Sequence, residues 1–410
     1  MDSGGQVSFM GMRMGREAWH NFRWDFAAAS LFSLFNVVFN QFYIPLAIQQ
    51  GASDFQVGLL AAAPAIGLTF SPLWSGFIQQ GAPKWYFFWP NLIGRSLIII
   101  PVLFYNSWVF VGFALFFHLL MGIQAPAYAS LMTRIYPAEL RGRLMGNVRV
   151  AMGLLMIPLA YVIGQWIDSS GGSGPLMAAA VSGFISVLAF LRIREIPSLV
   201  DKVADRKKRV SFADQWHILK GNRGLLLFLT ATTISGFGNM LASPLYSIIQ
   251  VSHLGLSNLE IGYIRMSYFT CLLLSYFIMG WVIDRYSPRV AMCFGTFAYA
   301  LVPLLYGLGG TYPAVIAAGG LQGFGDAIWD IGCMAYVFRL APGREAVVFG
   351  LHLMLFGIRG TIGPLLSTSI GGTVSFELLL LFAAGCAAVG CLLFVLNRVR
   401  SVSTENGVGM

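Results

Sequence analysis

The sequence predicts an all-α membrane protein whose twelve transmembrane helices form two pseudo-symmetric six-helix bundles. Three observations predict this fold class: a composition that is 57% hydrophobic and 10% charged, apolar stretches of membrane-spanning length, and an internal repeat. Soluble domains carry about 25% charged residues. A chain of 410 residues with so few charges could not cover its surface in water.

Apolar stretches separated by Gly, Pro, Asn or clusters of charge predict twelve spans. Each is close to the roughly 20 residues that cross about 30 Å of hydrocarbon. The first stretch is too long for a signal peptide and has no cleavage site after it, so we expect it to be retained. The predicted spans are 24–49, 55–80, 84–105, 107–132, 143–167, 175–193, 223–251, 258–283, 289–308, 312–339, 345–370 and 375–397.

The distribution of Lys and Arg predicts the orientation of these spans. The odd-numbered loops contain neither residue, whereas the even-numbered loops, the central segment and both termini are basic. An even number of helices with both termini in the cytoplasm explains this pattern. We expect a multi-pass protein of a bacterial-type inner membrane. Because most of the Lys and Arg residues lie in the loops between the spans and at the termini, the net charge of +9 does not indicate a nucleic-acid partner.

One long hydrophilic stretch divides the chain near its middle. It predicts an N-terminal bundle over 1–193, a central cytoplasmic linker over 194–222 and a C-terminal bundle over 223–410. The linker mixes basic residues with a few bulky apolar ones. Both a helix on the anionic membrane surface and a solvated linker fit this composition.

The two halves repeat each other at a constant shift. Gly51-Ala-Ser-Asp-Phe-Gln-Val-Gly58 parallels Gly255-Leu-Ser-Asn-Leu-Glu-Ile-Gly262, a shift of 262 − 58 = 204. In each octapeptide a Ser is followed three residues later by Gln or Glu, which predicts a capping box at the start of a helix. Six spans repeated in parallel are typical of a rocking transporter with its site between the halves. Three glycine pairs share the shift: Gly76 and Gly280, Gly146 and Gly350, Gly153 and Gly357.

Two loop motifs resemble those of the major facilitator superfamily, and the resemblance extends over essentially the whole chain. They are Gly280-Trp-Val-Ile-Asp284-Arg285-Tyr-Ser-Pro-Arg289 and Tyr136-Pro-Ala-Glu139-Leu-Arg141-Gly142-Arg143. An earlier copy, Gly76-Phe-Ile-Gln-Gln80-Gly81-Ala-Pro-Lys84, has Gln80 where the family has Asp. The resemblance implies alternating access with charge latches between the halves, although such charges could simply mark the inner membrane boundary. The implied latch residues are Asp284, Arg285, Arg289, Arg141 and Arg143.

Ionisable residues within spans cost about 2.5–3.5 kcal/mol each on insertion scales, so they usually have a function or a partner. Asp326 and Asp330 share one face of the tenth predicted helix, and His352 and Arg359 share one face of the eleventh. Depths at about 1.5 Å per residue pair Asp326 with Arg359 and Asp330 with His352. We expect either a polar ladder that couples proton or substrate movement to rocking, or structural pairs between helices.

The resemblance also implies that the first, fourth, seventh and tenth helices line the substrate cavity. The further candidates for the cavity wall are His118, Asn36, Asn40, Gln124 and Asn239. The alternative for the histidine is a neutral ring with satisfied hydrogen bonds, and the alternative for the amides is hydrogen bonding between helices.

The sequence predicts transport rather than catalysis. It contains no Walker loop, no hydrolase signature and no Cys or His spacing typical of a metal site, so we expect no enzyme activity, cofactor or metal. We expect a monomeric secondary active transporter that moves a small organic solute by proton-coupled rocking. A lipid flippase and a non-transporting sensor on the same scaffold are the alternatives.

Overall fold

The computed structural model describes residues 7–104, 106–197, 199, 222–340 and 345–396. A short hairpin, β1 (Val7–Phe9) and β2 (Met12–Met14), precedes the helices. The helices are α1 (Arg16–Gln49), α2 (Asp54–Thr69, continued by Ser71–Gln80), α3 (Pro83–Leu103), α4 (Ser107–Ile135), α5 (Ala138–Ser170), α6 (Ser173–Phe190), α7 (Arg223–His253), α8 (Asn258–Arg285), α9 (Pro288–Gly307), α10 (Tyr312–Leu340), α11 (Glu345–Ile370) and α12 (Phe376–Leu396).

The predicted fold class is confirmed. Within the described residues, eleven helices are long and apolar enough to cross a membrane. The remaining one, α10, has 29 residues, but Gln322, Asp326 and Asp330 near its middle lower its hydropathy. The polar member of the bundle is therefore the helix that carries the two predicted acids.

Two helices begin earlier than the hydrophobic pattern predicts. Helix α1 starts at Arg16 instead of 24, and α5 starts at Ala138 instead of 143. Hydropathy marks where hydrocarbon begins, whereas backbone hydrogen bonds continue the helix into the interface. The hairpin, which the sequence analysis did not predict, buries Met12 and Met14 against this end of the N-terminal bundle.

The predicted capping boxes are present at the starts of α2 and α8. The backbone N–H of Gln56 donates to Ser53 Oγ at 3.4 Å, and the N–H of Ser53 donates to the Gln56 side chain at 2.8 Å. Ser257 and Glu260 repeat both bonds at 3.2 and 2.8 Å. Each box satisfies amides that a helix start leaves unpaired.

The bundles meet through related contacts of α5 with α8 and of α2 with α11. A Cβ placed on Gly153 would lie 2.6 Å from Leu273, and one on Gly357 would lie 2.8 Å from Thr69. The pairs obey the sequence repeat, since 357 − 153 = 204 and 273 − 69 = 204. The boundaries 1–193, 194–222 and 223–410 stay a prediction, and linker residues 198 and 200–221 lie outside the described residues.

Candidate functional site

A cavity of about 280 Å³ lies in the C-terminal bundle, between residues of α7, α8, α9, α10 and α11. Acidic, basic and aromatic side chains share its wall, so it can hold a solute that is polar and partly planar. We call it the C-half cavity. Its lining residues are Gly236, Asn239, Met240, Tyr268, Leu272, Tyr276, Tyr299, Asp326, Trp329, Asp330, Phe356 and Arg359.

Three donors hold the carboxylate of Asp326. Its Oδ1 accepts the Tyr299 hydroxyl at 2.6 Å and the Gln322 amide at 3.0 Å, and its Oδ2 accepts the Tyr268 hydroxyl at 2.9 Å. These donors come from α8, α9 and α10 itself. Asp326 therefore ties three helices together.

Asp330 has a different environment from Asp326, although it lies one turn further along α10. Its side chain is exposed within the wall of the C-half cavity, and its Oδ2 accepts the Tyr276 hydroxyl at 2.7 Å. The carboxylate thus has further acceptor capacity that faces the cavity. Of the two acids, Asp330 is the more exposed in the C-half cavity.

Arg359 and His352 do not form the predicted pairs. Arg359 is 3% exposed, donates from Nη1 to the Thr232 carbonyl at 2.7 Å, and lies 5.4 Å from the Trp329 ring centre. His352 is 4% exposed, and its ring centre lies 6.0 Å from that of Trp329. Among the described residues, the ion pair that forms is Arg134 with Glu195. Depth along a helix predicted the pairing, but depth ignores the face on which a side chain lies.

A second cavity, of about 260 Å³, lies in the N-terminal bundle; we call it the N-half cavity. Arg95 reaches it from α3 and is 8% exposed. Its Nη1 donates to Ser186 Oγ, and its Cζ lies 3.9 Å from the Phe32 ring centre. The lining residues are Asp25, Ala28, Ala29, Phe32, Phe87, Arg95, Gln124, Tyr128, Val148, Arg149, Met152, Ser186 and Phe190.

The other cavity candidates divide into two groups. Asn239 lines the C-half cavity and Gln124 lines the N-half cavity. His118 is half-buried, and its ring lies 5.7 Å from that of Phe39 on α1. Asn36 is half-buried and Asn40 is exposed. The lining of the two cavities includes none of these three.

Three of the implied latch residues contact groups of their own bundle. Arg141 donates to the Tyr136 carbonyl at 3.2 Å, and Arg143 donates to the Met10 carbonyl at 3.5 Å, both within the N-terminal bundle. The Arg285 guanidinium lies 5.6 Å from the Trp281 ring on its own helix. Arg289 lies in the first turn of α9 and is half-buried, and the side chain of Asp284 lies outside the described residues.

Hydrogen bonds between the bundles occur at the ends of the helices away from the basic loops. The carboxylate of Asp168, at the end of α5, accepts the backbone N–H groups of Asn258 at 2.9 Å and Leu259 at 2.8 Å. It also accepts the Asn258 side-chain amide at 2.9 Å, and Gln49 donates to Asn258 Oδ1 at 3.1 Å. An anion at the start of a helix is electrostatically favourable. These contacts join the two bundles at the helix ends opposite the basic loops, which we call the outer ends.

Sequence reasoning missed several residues of this site. Tyr268, Tyr276 and Tyr299 were not singled out, because a tyrosine in an apolar stretch carries no sign of its partner. Asp25 lay at the edge of its predicted span, so it did not stand out as a buried acid. Asp168 could have been noticed, since it is an acidic residue at the outer end of a predicted span.

The sequence profile of the Major Facilitator Superfamily matches residues 26–241 and 228–409 of this chain. No curated protein matches it significantly. The crystal structure of the nucleoside transporter NupG has a TM-score of 0.70 at 15% identity, covering 94% of this chain and 100% of NupG. The POT family transporter PepTSo has a TM-score of 0.71 at 12% identity, covering 92% and 97%. A bacterial homolog of the human lysosomal transporter Spinster has a TM-score of 0.67 at 13% identity, covering 95% and 100%.

Proposed function

We propose, from the premise that this chain belongs to the Major Facilitator Superfamily, that it is a proton-coupled transporter of a small polar organic solute. Members of this family are secondary transporters, so the multi-pass fold and the class of function follow from membership. The substrate class and the coupling ion are the proposal. The observation that carries it is the pair of carboxylates on α10 that lines the C-half cavity.

The two carboxylates have separate roles in this proposal. Asp326 is satisfied by three donors and positions α8, α9 and α10 around the cavity. Asp330 is exposed in the cavity and accepts one described side-chain donor, Tyr276. Proton binding at Asp330 would weaken this hydrogen bond to α8, the helix that packs against α5 of the other bundle. Protonation is thereby linked to the contact that must change during rocking.

The proposed transport cycle starts from the arrangement in the structure. The outer ends of the bundles are joined at Asp168, whereas Arg141 and Arg143 on the basic side bond within their own bundle. We propose that the basic side is cytoplasmic, in a bacterial-type inner membrane, and that the cavities open to it. The implied latch residues would then join the bundles in the opposite state, when the outer ends separate.

Transport by the purified protein in liposomes with an imposed pH gradient tests the proposal. We expect uptake of one or more polar solutes that rises with an inward proton gradient. The Asp330→Asn variant should lose this accumulation and keep solute exchange, because exchange needs no net proton movement. Glu377→Gln removes an exposed carboxylate on α12 that lines neither cavity, and should behave as wild type.

Three results would contradict this assignment. Unchanged pH-driven accumulation in Asp330→Asn would remove its coupling role. Uptake that never exceeds that of empty vesicles would favour a sensor. Movement of labelled lipid between leaflets, without uptake of soluble compounds, would favour a flippase.

A further inference from the structure

The N-half cavity contains a buried cation without an acidic partner among the described residues. Arg95 is 8% exposed, and the ion pair that forms in this part of the chain joins Arg134 to Glu195. Asp25 lines the same cavity, but its Oδ2 accepts the hydroxyl of Tyr136 at 2.8 Å. A buried charge without a counter-ion is unfavourable, and within a membrane-spanning helix it usually marks a functional group.

Neutral contacts hold the guanidinium of Arg95 in place without neutralising it. Nη1 donates to Ser186 Oγ on α6, and the group packs on Phe32 of α1. Gly183, three residues before Ser186 and on the same face of α6, makes room, since a Cβ there would lie 2.9 Å from Arg95 Cβ. Nε is buried and has no acceptor among the described residues. The donor capacity of Arg95 is therefore only partly used.

We infer that Arg95 binds an acidic group of the transported solute, a carboxylate or a phosphate, in the N-half cavity. The planar fork of an arginine matches both groups, and charge-assisted bonds to it are strong. Arg149 lines the same cavity from α5, so two arginines face one aspartate there and leave a net positive charge. The inference rests on the proposed function, because it names the chemistry of the solute that the transporter moves.

The C-half cavity does not offer an equivalent anion site. Arg359 is also buried, and its Nε likewise has no described acceptor. Asp326 and Asp330 line the same cavity, however, so its net charge is negative. An acidic group is therefore favoured at Arg95 in the N-half cavity rather than in the C-half cavity.

Thermal unfolding of the purified full-length protein tests the binding step. The probes are inorganic phosphate and three matched pairs: lactate with lactamide, benzoate with benzamide, and glycerol phosphate with glycerol. We expect one or more of the acids, and none of the neutral analogues, to raise the melting temperature of wild type. The phosphate and carboxylate arms separate the two anion chemistries. Arg95→Gln should weaken binding of that acid at least about 30-fold, and Arg95→Lys less.

Two controls separate a binding role from a structural one. Arg23→Gln makes the same charge change at an exposed position of α1 that lines neither cavity, and should bind the acid as wild type. Without ligand, Arg95→Gln should unfold at the wild-type temperature or above it, since it removes an uncompensated buried charge. A purely structural arginine would instead lower the unfolding temperature when replaced.

The outcomes distinguish this inference from the proposed function. Failure of every acid to stabilise wild type, equal stabilisation by the amides and acids, or full stabilisation of Arg95→Gln would overturn the anion site. Uptake of neutral solutes that Arg95→Gln leaves unchanged would also overturn it and leave the transport proposal standing. Acid binding that depends on Arg95, without uptake of any solute into vesicles, would support the site and contradict transport.

Discussion

Asp168 offers a direct test of how the two bundles are held together. Its carboxylate receives three hydrogen bonds at the start of α8: the N–H of Asn258, the side-chain amide of Asn258 and the N–H of Leu259. Replacing Asp168 with Ala removes all three, together with the favourable charge at the helix N-terminus. We expect the state with separated outer ends to become more populated.

The size of the effect follows from the geometry. A hydrogen bond to a charged group contributes about 1.5–3 kcal/mol when it is buried. Asp168 is exposed, so solvent screens its charge, and we take about 1.5 kcal/mol for the three bonds together. That amount shifts the ratio of the two states about tenfold. Asp168→Asn keeps one acceptor oxygen and loses the charge, so its shift should be smaller.

Double electron–electron resonance spectroscopy can measure the populations of the states with joined and with separated outer ends. Spin labels at Ser170 and Ser252, both exposed near the outer ends of the bundles, would be introduced after replacing the five native cysteines. In Asp168→Ala the ratio of long to short distances should rise about tenfold relative to the parent. An unchanged distance distribution in that variant would refute the reasoning, because it would mean that Asp168 does not hold the outer ends together.

Two further predictions use contacts elsewhere in the chain. Asp326→Ala leaves the Tyr268 and Tyr299 hydroxyls without their acceptor, so the free energy of unfolding should fall by about 2 kcal/mol. Asp330→Ala should lower the free energy of unfolding less. Equal decreases in the two variants would contradict this prediction. Gly164→Ala places a Cβ 2.4 Å from the Asn258 carbonyl oxygen and should increase the fraction of long spin-label distances. In Gly146→Ala, on the same helix, the new Cβ meets nothing within 4 Å, so the distance distribution should not change.

The fold was largely predictable because its main signals are local in sequence. Hydrophobic stretches of membrane-spanning length indicated each helix, and the spacing of Ser53 with Gln56 and of Ser257 with Glu260 predicted capping boxes that are present. Starts of helices were less predictable where the helix continues past the hydrocarbon, as at Arg16 and Ala138. The polar residues in the first turns of these helices look like loop residues in the sequence.

The partners within the site depend on tertiary contacts that the sequence does not display. Asp326 and Asp330 stood out because acids in apolar stretches are rare, and both line a cavity. Their tyrosine partners lie 27 to 58 residues away in the chain, on helices whose rotation the sequence leaves open. Likewise, the sequence places Arg95 within a predicted span, but only the packing of α1, α3 and α6 shows that no acid pairs with it among the described residues.

The polarity of α10 affects how the protein is made. A helix with two central aspartates is a poor substrate for insertion into lipid, since each acid at the centre costs about 2.5–3.5 kcal/mol. Helices α8 and α9 emerge from the ribosome before it and carry the tyrosines that bond to those acids. We expect α10 to leave the translocon together with these neighbours, so that biogenesis of the C-terminal bundle depends on the same hydroxyl groups that shape its cavity.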